Sequence, residues 1–363
     1  MTSSRLPGMY FQETVQNINN AEKEYVPLFV IQTSTAIADL DEQITHYTGF
    51  DAFETKVAEK GLAYTSAMIE QVLQEYGNTE FYVYSIKTDT ITGFTNAIKA
   101  TSHLQNVKAI TYIEETASTN ANKITDKIGA IKAGLIDNAT NGVFREGFII
   151  PYGTVHAAVE DAENTAPEAA CITSLTSILA GDGHGRICCI LPDENAGTSV
   201  GKCLSAAYDE EPGYTAIQST LQTSTYNFDK TQMLTLQNLG VIFIRLETLR
   251  GNSIPRINLG VTTGFKSNTA DQLLVSRTIV DEILRQIEYE GTPFVKAKEV
   301  ESNVTVLQSI VDTIVDTFVK NESIIAEQTS ITVTDAGNSI FNITGTIKPI
   351  KSVIAIEVNT KVA

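Results

Sequence analysis

The 363-residue sequence predicts a mixed α/β core with β segments at its ends, and three observations carry that expectation. Thr and Ile recur throughout, and β-branched residues favour strand. Between residues 25 and 151, apolar runs of strand length, polar turns and helix-spaced segments follow one another repeatedly, the order that builds an open α/β layer. The last stretch, 328–363, sets Ile and Val against Thr, Asn and Gly at a period of two, the mark of strands with one buried face.

Taken in order, residues 1–24 read as an N-terminal arm, with a turn at Pro7-Gly8 and a brief strand over Met9, Tyr10 and Phe11. A dense apolar run at 25–32 is the first core strand, and 39–46 reads as loop or short helix. Residues 52–75 form one or two helices, striped by Ala63, Ala67, Ile69, Val72 and Leu73 and ending near Gly77. Strands at 80–87 and 107–113 bracket a helix at 90–100. A helix over 119–138 places Ile124, Ile128, Ile131 and Leu135 on one face, and a strand ends at 148–151.

Residues 155–179 are mostly helical, and 186–191 is an apolar strand after a tight glycine-rich loop. The turn-rich stretch 193–228 is the least patterned part of the chain. A short helix at 231–239 leads into a strand at 240–244, a return at 250–255 and a strand at 257–261, so that 241–262 is hairpin-like. Two helices follow: 271–289, with Leu274, Ile279, Ile283 and Ile287 for a core, and 304–320, with Val304, Leu307, Val311, Ile314, Val315 and Phe318; Pro293 separates them. Strands then run from 331 to 347 around a turn at 335–338. After Lys348-Pro349 an extended run resumes over Val353, Ile354, Ile356 and Val358. So short a ribbon is marginal in water unless something covers or extends it, and it is built to pair, inside its own subunit or with a neighbour.

Forty-three acidic against 26 basic residues give a net charge of −17, which argues against nucleic acid or an anionic bilayer as a principal partner. No run approaches 18 apolar residues and the start carries no signal-peptide pattern, so synthesis in the cytoplasm and no integral membrane segment are expected. The four cysteines, 171, 188, 189 and 203, sit among apolar neighbours, as reduced buried thiols do.

The patterns that would carry chemistry fail one by one. Residues 196–203 imitate a phosphate loop but have Ala196 where the first glycine belongs and Cys203 where the magnesium-binding hydroxyl belongs; a glycine-containing loop with Lys202 in solvent is the plainer expectation. Asp182, His184, Cys188 and Cys189 lack zinc-ligand spacing, and adjacent cysteines on a strand point to opposite faces. Cys171 or Cys203 could be drawn beside His46, His103, His156 or His184, but no spacing selects a pair. Ser174, Ser177 and Ser205 lack a nucleophile elbow, and Asp209, Glu210 and Glu211 are consecutive rather than opposed. No catalytic, cofactor-binding or metal residue is expected.

The C-terminal third resembles a known family. The strand Gly240-Val241-Ile242-Phe243-Ile244-Arg245, the arginine-bearing segment from Gly251 through Arg256 to Gly264, the two helices and the terminal strands occur in the order typical of the tail sheath proteins of contractile phage tails and phage-tail-like particles. The opening Leu6-Pro7-Gly8-Met9-Tyr10 is similar to that family's start. The match covers about the last 125 residues and the first 15. The arginine-rich start of the family's long helix is reduced here to Arg277, and its Trp-Gly-Ala-Arg-Thr is replaced by Gly260-Val261-Thr262-Thr263-Gly264.

The resemblance implies an α+β chain whose mixed core carries terminal β arms and a variable, inserted, outward-facing domain. The expected division is an arm at 1–24, the first part of the core at 25–89, the outer domain at 90–228, a C-terminal core domain at 229–351 and a strand arm at 352–363. It implies a non-enzymatic subunit that stacks in hexameric rings around a tail tube, contracts when triggered, and meets further copies of itself, a tube protein, and baseplate and tail terminator proteins. Its place would be a virion tail or phage-tail-like particle assembled in a bacterial cytoplasm; another structural tail or baseplate subunit is the alternative. Met9, Tyr10, Phe11, Val353, Ile354, Ile356 and Val358 are the expected strand arms between subunits, and Arg245, Arg250, Arg256 and Arg277 the expected polar interface.

Overall fold

The computed structural model describes residues 25–32, 42–57, 61–86, 91–104, 106–115, 121–161, 166–180, 185–214, 216–249, 252–267, 273–296, 301–335 and 341–350. The chain forms two compact units, Met1–Arg277 and Thr278–Ala363.

The first unit is built on seven strands: β1 (Leu28–Gln32), β2 (Ile44–Tyr47), β3 (Phe81–Ile86), β4 (Ala109–Ile113), β5 (Glu146–Ile150), β6 (Ile187–Ile190) and β7 (Val241–Ile242). They form one sheet in the order β2-β3-β1-β4-β5-β6-β7, parallel throughout except that β2 runs antiparallel to β3. Between them lie α1 (Phe50–Val57), α2 (Ala63–Tyr76), α3 (Ile91–Thr101), α4 (Ala121–Thr140), α5 (Tyr152–Asp161), α6 (Pro167–Ile178), α7 (Ala196–Ser205) and α8 (Lys230–Asn238). A parallel sheet covered on both faces favours strands that are apolar on both sides, which is why Leu28 to Ile31 of β1 and all of β6 read as unbroken apolar runs and β4 is broken only by Thr111.

On one face Leu28, Val30, Ile110, Tyr112, Ile149, Ile187 and Cys189 pack with Phe94 and Ile98 of α3, Ile131 and Leu135 of α4, Val155 of α5, Leu175 of α6 and Leu236 of α8. The other face carries Phe29 and Phe81, with ring centroids 5.9 Å apart, and Phe53 of α1 meets Phe81 edge-on at 5.7 Å. Cys188 and Cys189 divide between these faces as the strand period requires: Cys189 joins the first cluster, and Cys188 turns away from it, toward Cys203 of α7.

Three expectations are corrected. Residues 39–46 do not end in a loop or helix: Ile44–Tyr47 is the edge strand β2, whose four residues are too few to display a period, and it is fastened by Tyr47 stacking on Phe81 at 5.2 Å. Residues 196–203 are not a loop but most of the helix α7, and Lys202 is buried at 7% exposure rather than in solvent. Gly197 and Gly201, one helical turn apart, face α2 so closely that a Cβ would stand 2.2 Å from the Met68 carbonyl oxygen and 2.8 Å from that of Val72. Glycine there serves backbone contact between helices, a use that looks like a loop in sequence.

The hairpin is also shifted. β8 (Ile244–Leu249) pairs antiparallel with β9 (Asn252–Ile257), so Asn252 to Pro255, expected in the return, lie in a strand, with Pro255 opposite Leu246. A two-stranded ribbon has edges on both sides, where a proline's missing N–H costs nothing. Beyond Ile257 the ladder continues through Asn258, whose side-chain oxygen accepts the Phe243 N–H at 2.9 Å and whose own N–H donates to the Phe243 carbonyl at 2.8 Å.

The expected boundaries at 89/90 and 228/229 lie between strands of one sheet. β1 is paired residue for residue with β3 on one side and β4 on the other, so residues 90–228 share a sheet with residues 25–89. Expressed alone, 90–228 would lose β1 from the edge of β4 and β7 from the edge of β6, exposing two apolar edges. We expect that fragment to aggregate; a monodisperse fragment with a cooperative melt would show that it is an autonomous domain after all.

The second unit holds most of α9 (Leu274–Gly291), then α10 (Glu301–Lys320) and an antiparallel hairpin of β10 (Ser330–Asp335) and β11 (Phe341–Thr346). α10 buries Leu307, Val311, Ile314 and Phe318, a stripe at spacings of four, three and four. After β11 the chain is tied back antiparallel: Ile325 N–H donates to the Lys348 carbonyl and Ile350 N–H to that of Ser323, both at 2.9 Å.

Candidate assembly interface

The β10-β11 hairpin has two unlike faces, because paired residues share a side. Ile331, Val333, Phe341 and Ile343 make one side largely apolar, with Gly345 and, at its end, Asp335, while Ser330, Thr332, Thr334, Asn342, Thr344 and Thr346 form the other. Val333 is buried at 5% exposure, whereas Ile343, directly across from it, is 37% exposed: cover ends between the two strands. Gly345 lets them approach, since a Cβ at this position would stand 2.0 Å from the Ser330 carbonyl oxygen. Gln308 of α10 binds the backbone of β10, accepting from Val333 N–H at 2.7 Å and donating to the Ile331 carbonyl at 3.0 Å. Among the described residues the sheet stops at β11.

Of the expected arginines, the structure brings two together. Arg245 and Arg256 are cross-strand partners on β8 and β9, and Arg256 Nε lies 3.3 Å from Glu247 Oε2. Like charges placed directly opposite weaken a strand pair unless a counter-charge answers them. Next to Arg245 stands Leu246, 68% exposed, the most exposed large apolar residue among those described. Arg277 belongs to a different element, the first turn of α9, and is half-buried. Arg250, Met9, Tyr10, Phe11, Val353, Ile354, Ile356 and Val358 lie outside the described residues.

A parallel sheet of this kind offers ligands the carboxyl ends of its strands, above all where the strand order reverses. Here that reversal falls between β1 and β4, and the protein fills it. The buried Lys127 ammonium donates to the Gln32 side chain at 2.6 Å and to the Tyr112 hydroxyl at 3.3 Å, and lies 5.5 Å from the centre of the Phe94 ring. Helix N-termini that elsewhere bind phosphate are occupied by carboxylates: Glu115 accepts from Tyr64 and Thr65 N–H at 3.2 and 2.6 Å at the start of α2, and Glu114 accepts from Thr154 N–H at 2.9 Å at the start of α5. Tyr64 and Tyr152 stack at 3.6 Å above them. At α7, the segment that imitates a phosphate loop, Gly197 N–H meets the Met68 sulfur at 3.1 Å and Thr198 N–H the Gln71 oxygen at 3.3 Å.

The candidate nucleophiles are equally committed. Burial pushes the Cys171 and Cys189 thiols up to about 12 and raises Cys188 and Cys203 as well, against the ionisation a nucleophilic thiolate needs. His46 and His156 face Glu80 and Glu160 at 3.4 and 3.2 Å rather than a cysteine. Among the described residues no group of three His, Cys, Asp or Glu side chains converges as metal ligands, and no helix is long and apolar enough to cross a membrane.

Two carboxyls are buried against expectation: Asp193, which no motif singled out, and Glu211, which its consecutive acids and Pro212-Gly213 would place on a solvated turn. Asp193, bonded to Asn195 N–H at 2.9 Å, is raised by burial to about 6, and Glu211, which accepts from the backbone N–H groups of Gly260 and Gly213, is raised by burial to about 7. Each keeps its proton in the fold at a pH where the unfolded chain has released it. Their contribution is therefore whole below pH ~4 and is lost as pH rises through about 6 and 7, an effect on the order of 2–3 kcal/mol for each group. We expect denaturant midpoints to fall between pH 5 and pH 8 and the slope to flatten in Glu211→Gln; an unchanged slope in that variant would assign the effect elsewhere.

The sequence matches no protein-family model and no curated protein. Solved structures do match along nearly the whole chain. The baseplate of the anti-feeding prophage contains a chain with a TM-score of 0.65 at 14% identity, covering 99% of both chains. A chain of the contracted sheath complex of PVC, an extracellular contractile injection system, gives 0.64 at 10% identity over 99% and 98%. The sheath tail protein Lin1278 from Listeria innocua gives 0.59 at 10% identity over 95% and 97%. This chain thus has the fold found in the sheath and baseplate structures of contractile injection systems.

Proposed function

We propose that the protein is a structural subunit of a contractile tail sheath, with no catalytic centre, that polymerises as stacked hexameric rings around a tail tube and shortens to drive the tube through a target envelope. The observation that carries this reading is the hairpin whose outer strand, β11, ends its sheet with apolar Ile343 half uncovered. Such an edge is completed by another strand. The segments 7–14 and 352–361 are the arms that complete it in neighbouring subunits, and the fold shared with sheath structures supports that placement. Further partners on this reading are the tube, baseplate and tail terminator proteins, and the place of action is a virion tail or phage-tail-like particle. Negative-stain microscopy of the expressed protein tests it: tubes support a sheath, while closed rings that never stack favour a baseplate subunit, the reading for which the baseplate match speaks.

Arg245, Arg250, Arg256 and Arg277 are proposed as polar contacts to acidic neighbours, the Arg245 and Arg256 pair foremost because its own strand pairing leaves two like charges opposed. Arg245→Gln with Arg256→Gln should keep the fold and weaken assembly most at low salt. Unchanged assembly across a salt series would remove them from the interface.

A further inference from the structure

Between Ile217 and α8 the chain forms no helix or strand, yet it is fastened to the body at four places. Gln218 and Ser219 N–H donate to the Glu75 carboxylate of α2 at 3.2 and 2.9 Å, and the Ser219 hydroxyl joins them at 2.7 Å. Gln222 exchanges two bonds with the Asn195 amide, its N–H donating to Oδ1 at 2.8 Å and its carbonyl accepting from Nδ2 at 2.9 Å. Thr225 gives Glu194 both its N–H, at 2.9 Å, and its hydroxyl, and the Ser224 hydroxyl reaches Asp193 at 3.3 Å. Asn227 N–H ends the series on Glu168 of α6 at 2.9 Å.

The receiving side is held without help from this segment. Asn195 N–H donates to Asp193 Oδ1 at 2.9 Å, the Tyr64 hydroxyl to the Asp193 carbonyl at 2.9 Å, and Gln71 Nε2 to the Glu194 carbonyl at 2.7 Å. The segment itself has no such support. From Gln218 through Thr225 no side chain is buried, and among the described residues none of their backbone groups bonds to another backbone group. Apolar anchors stand only at the ends: buried Ile217, whose N–H donates to the Pro255 carbonyl at 3.2 Å, and half-buried Tyr226 and Phe228, whose stacked rings pack on the core. A stretch that buries no apolar surface offsets its ordering entropy with polar bonds alone, and such stretches open before the fold does.

We propose that residues 218–227 are a releasable strap, fastened by acidic side chains and Asn195, that opens as one unit while the seven-stranded sheet stays folded and that gates solvent access to Cys171 beneath Tyr226. The bonds act together because they follow one another along a single run: once Asn195 lets go of Gln222, everything between Ser219 and Ser224 is held from its ends alone. Charge-assisted bonds to Glu75, Glu194 and Glu168 are the stronger links, so the central amide pair is where the run parts first. Under the strap, Cys171 of α6 is fully buried, and the Tyr226 hydroxyl reaches its thiol. Burial holds that thiol protonated and inert; opening returns it to water, where thiolate forms.

The test is amide hydrogen exchange and cysteine alkylation by iodoacetamide, both read residue by residue on the full chain. In wild type the amides of Ser219, Gln222, Thr225 and Asn227 should share one protection factor, about a hundredfold or more below that of the β4 and β5 amides. Asn195→Ala removes both bonds to Gln222 and costs α7 no cap, because the Asn195 side chain makes no cap bond to that helix. In this variant the four amides should lose about tenfold or more in protection together, and alkylation of Cys171 should rise by the same factor. Cys188, Cys189 and Cys203 should stay unmodified. Amides that lose protection one at a time, strap amides as protected as the sheet in wild type, or a Cys171 rate that stays put while the amides quicken would overturn the strap. Should Asn195→Ala loosen the sheet as well, Glu194→Ala makes the same demand from a half-buried position. It should release all four amides and Cys171, and protection lost at Thr225 alone would count against the proposal.

Discussion

Deleting residues 352–363 is expected to leave a folded protein that makes no tubes. The deletion keeps the tie of Lys348 and Ile350 to Ile325 and Ser323, which fastens the chain after β11. Circular dichroism and melting should therefore resemble the full chain, while sedimentation should show a single small species in place of polymers. The effect is all-or-none because ring contacts made through an added strand disappear together with that strand. Normal tubes from the truncated protein would end the linkage idea. Loss of the fold would show instead that Ile354, Ile356 and Val358 complete a strand of their own core.

The second large effect is expected at Gly197. Gly197→Ala sets a methyl group 2.2 Å from a backbone oxygen of α2, and neither helix can yield by turning a side chain aside. Overpacking of this sort costs about 1–3 kcal/mol, and the upper end applies because the obstacle is backbone. The control is Gly129→Ala on α4, where nothing lies within 4 Å of the new methyl and helix propensity improves. Chemical denaturation of both variants checks the pair; equal midpoints would mean that the contact between α2 and α7 relaxes freely.

Much of the sheet was legible because its strands are buried on both faces. Unbroken runs such as Leu28 to Ile31 and Ile187 to Leu191 have few other readings, and the stripes of α4 and α10 follow the helical period closely. What failed was what depends on a partner element. Gly197 and Gly201 look like loop residues until α2 is beside them, and Lys202 looks like a solvent charge for the same reason. The order of the strands is likewise invisible in sequence, since nothing in β1 itself records that it lies between β3 and β4. A signal for the closed carboxyl end did exist: Glu114 and Glu115 end an apolar strand, where two adjacent acids must find buried donors or solvent. Nothing in the sequence marks Gln308, since a glutamine between Leu307 and Ser309 is ordinary on a helix and gains meaning only from the strand laid beside it.

The position of the open edge along the chain has a consequence for biogenesis. A ribosome delivers the chain from its N-terminus, and domains fold in that order as they emerge. The seven-stranded sheet is complete once Ile242 is out, and Gln308 follows before Val333, so the side chain that binds the β10 backbone is present when β10 arrives. β11 is the last of the described strands to appear. Nascent chains crowded on one messenger thus spend most of their synthesis without the surface that would let them stick to one another, and the adhesive edge is exposed only on a body that has already folded.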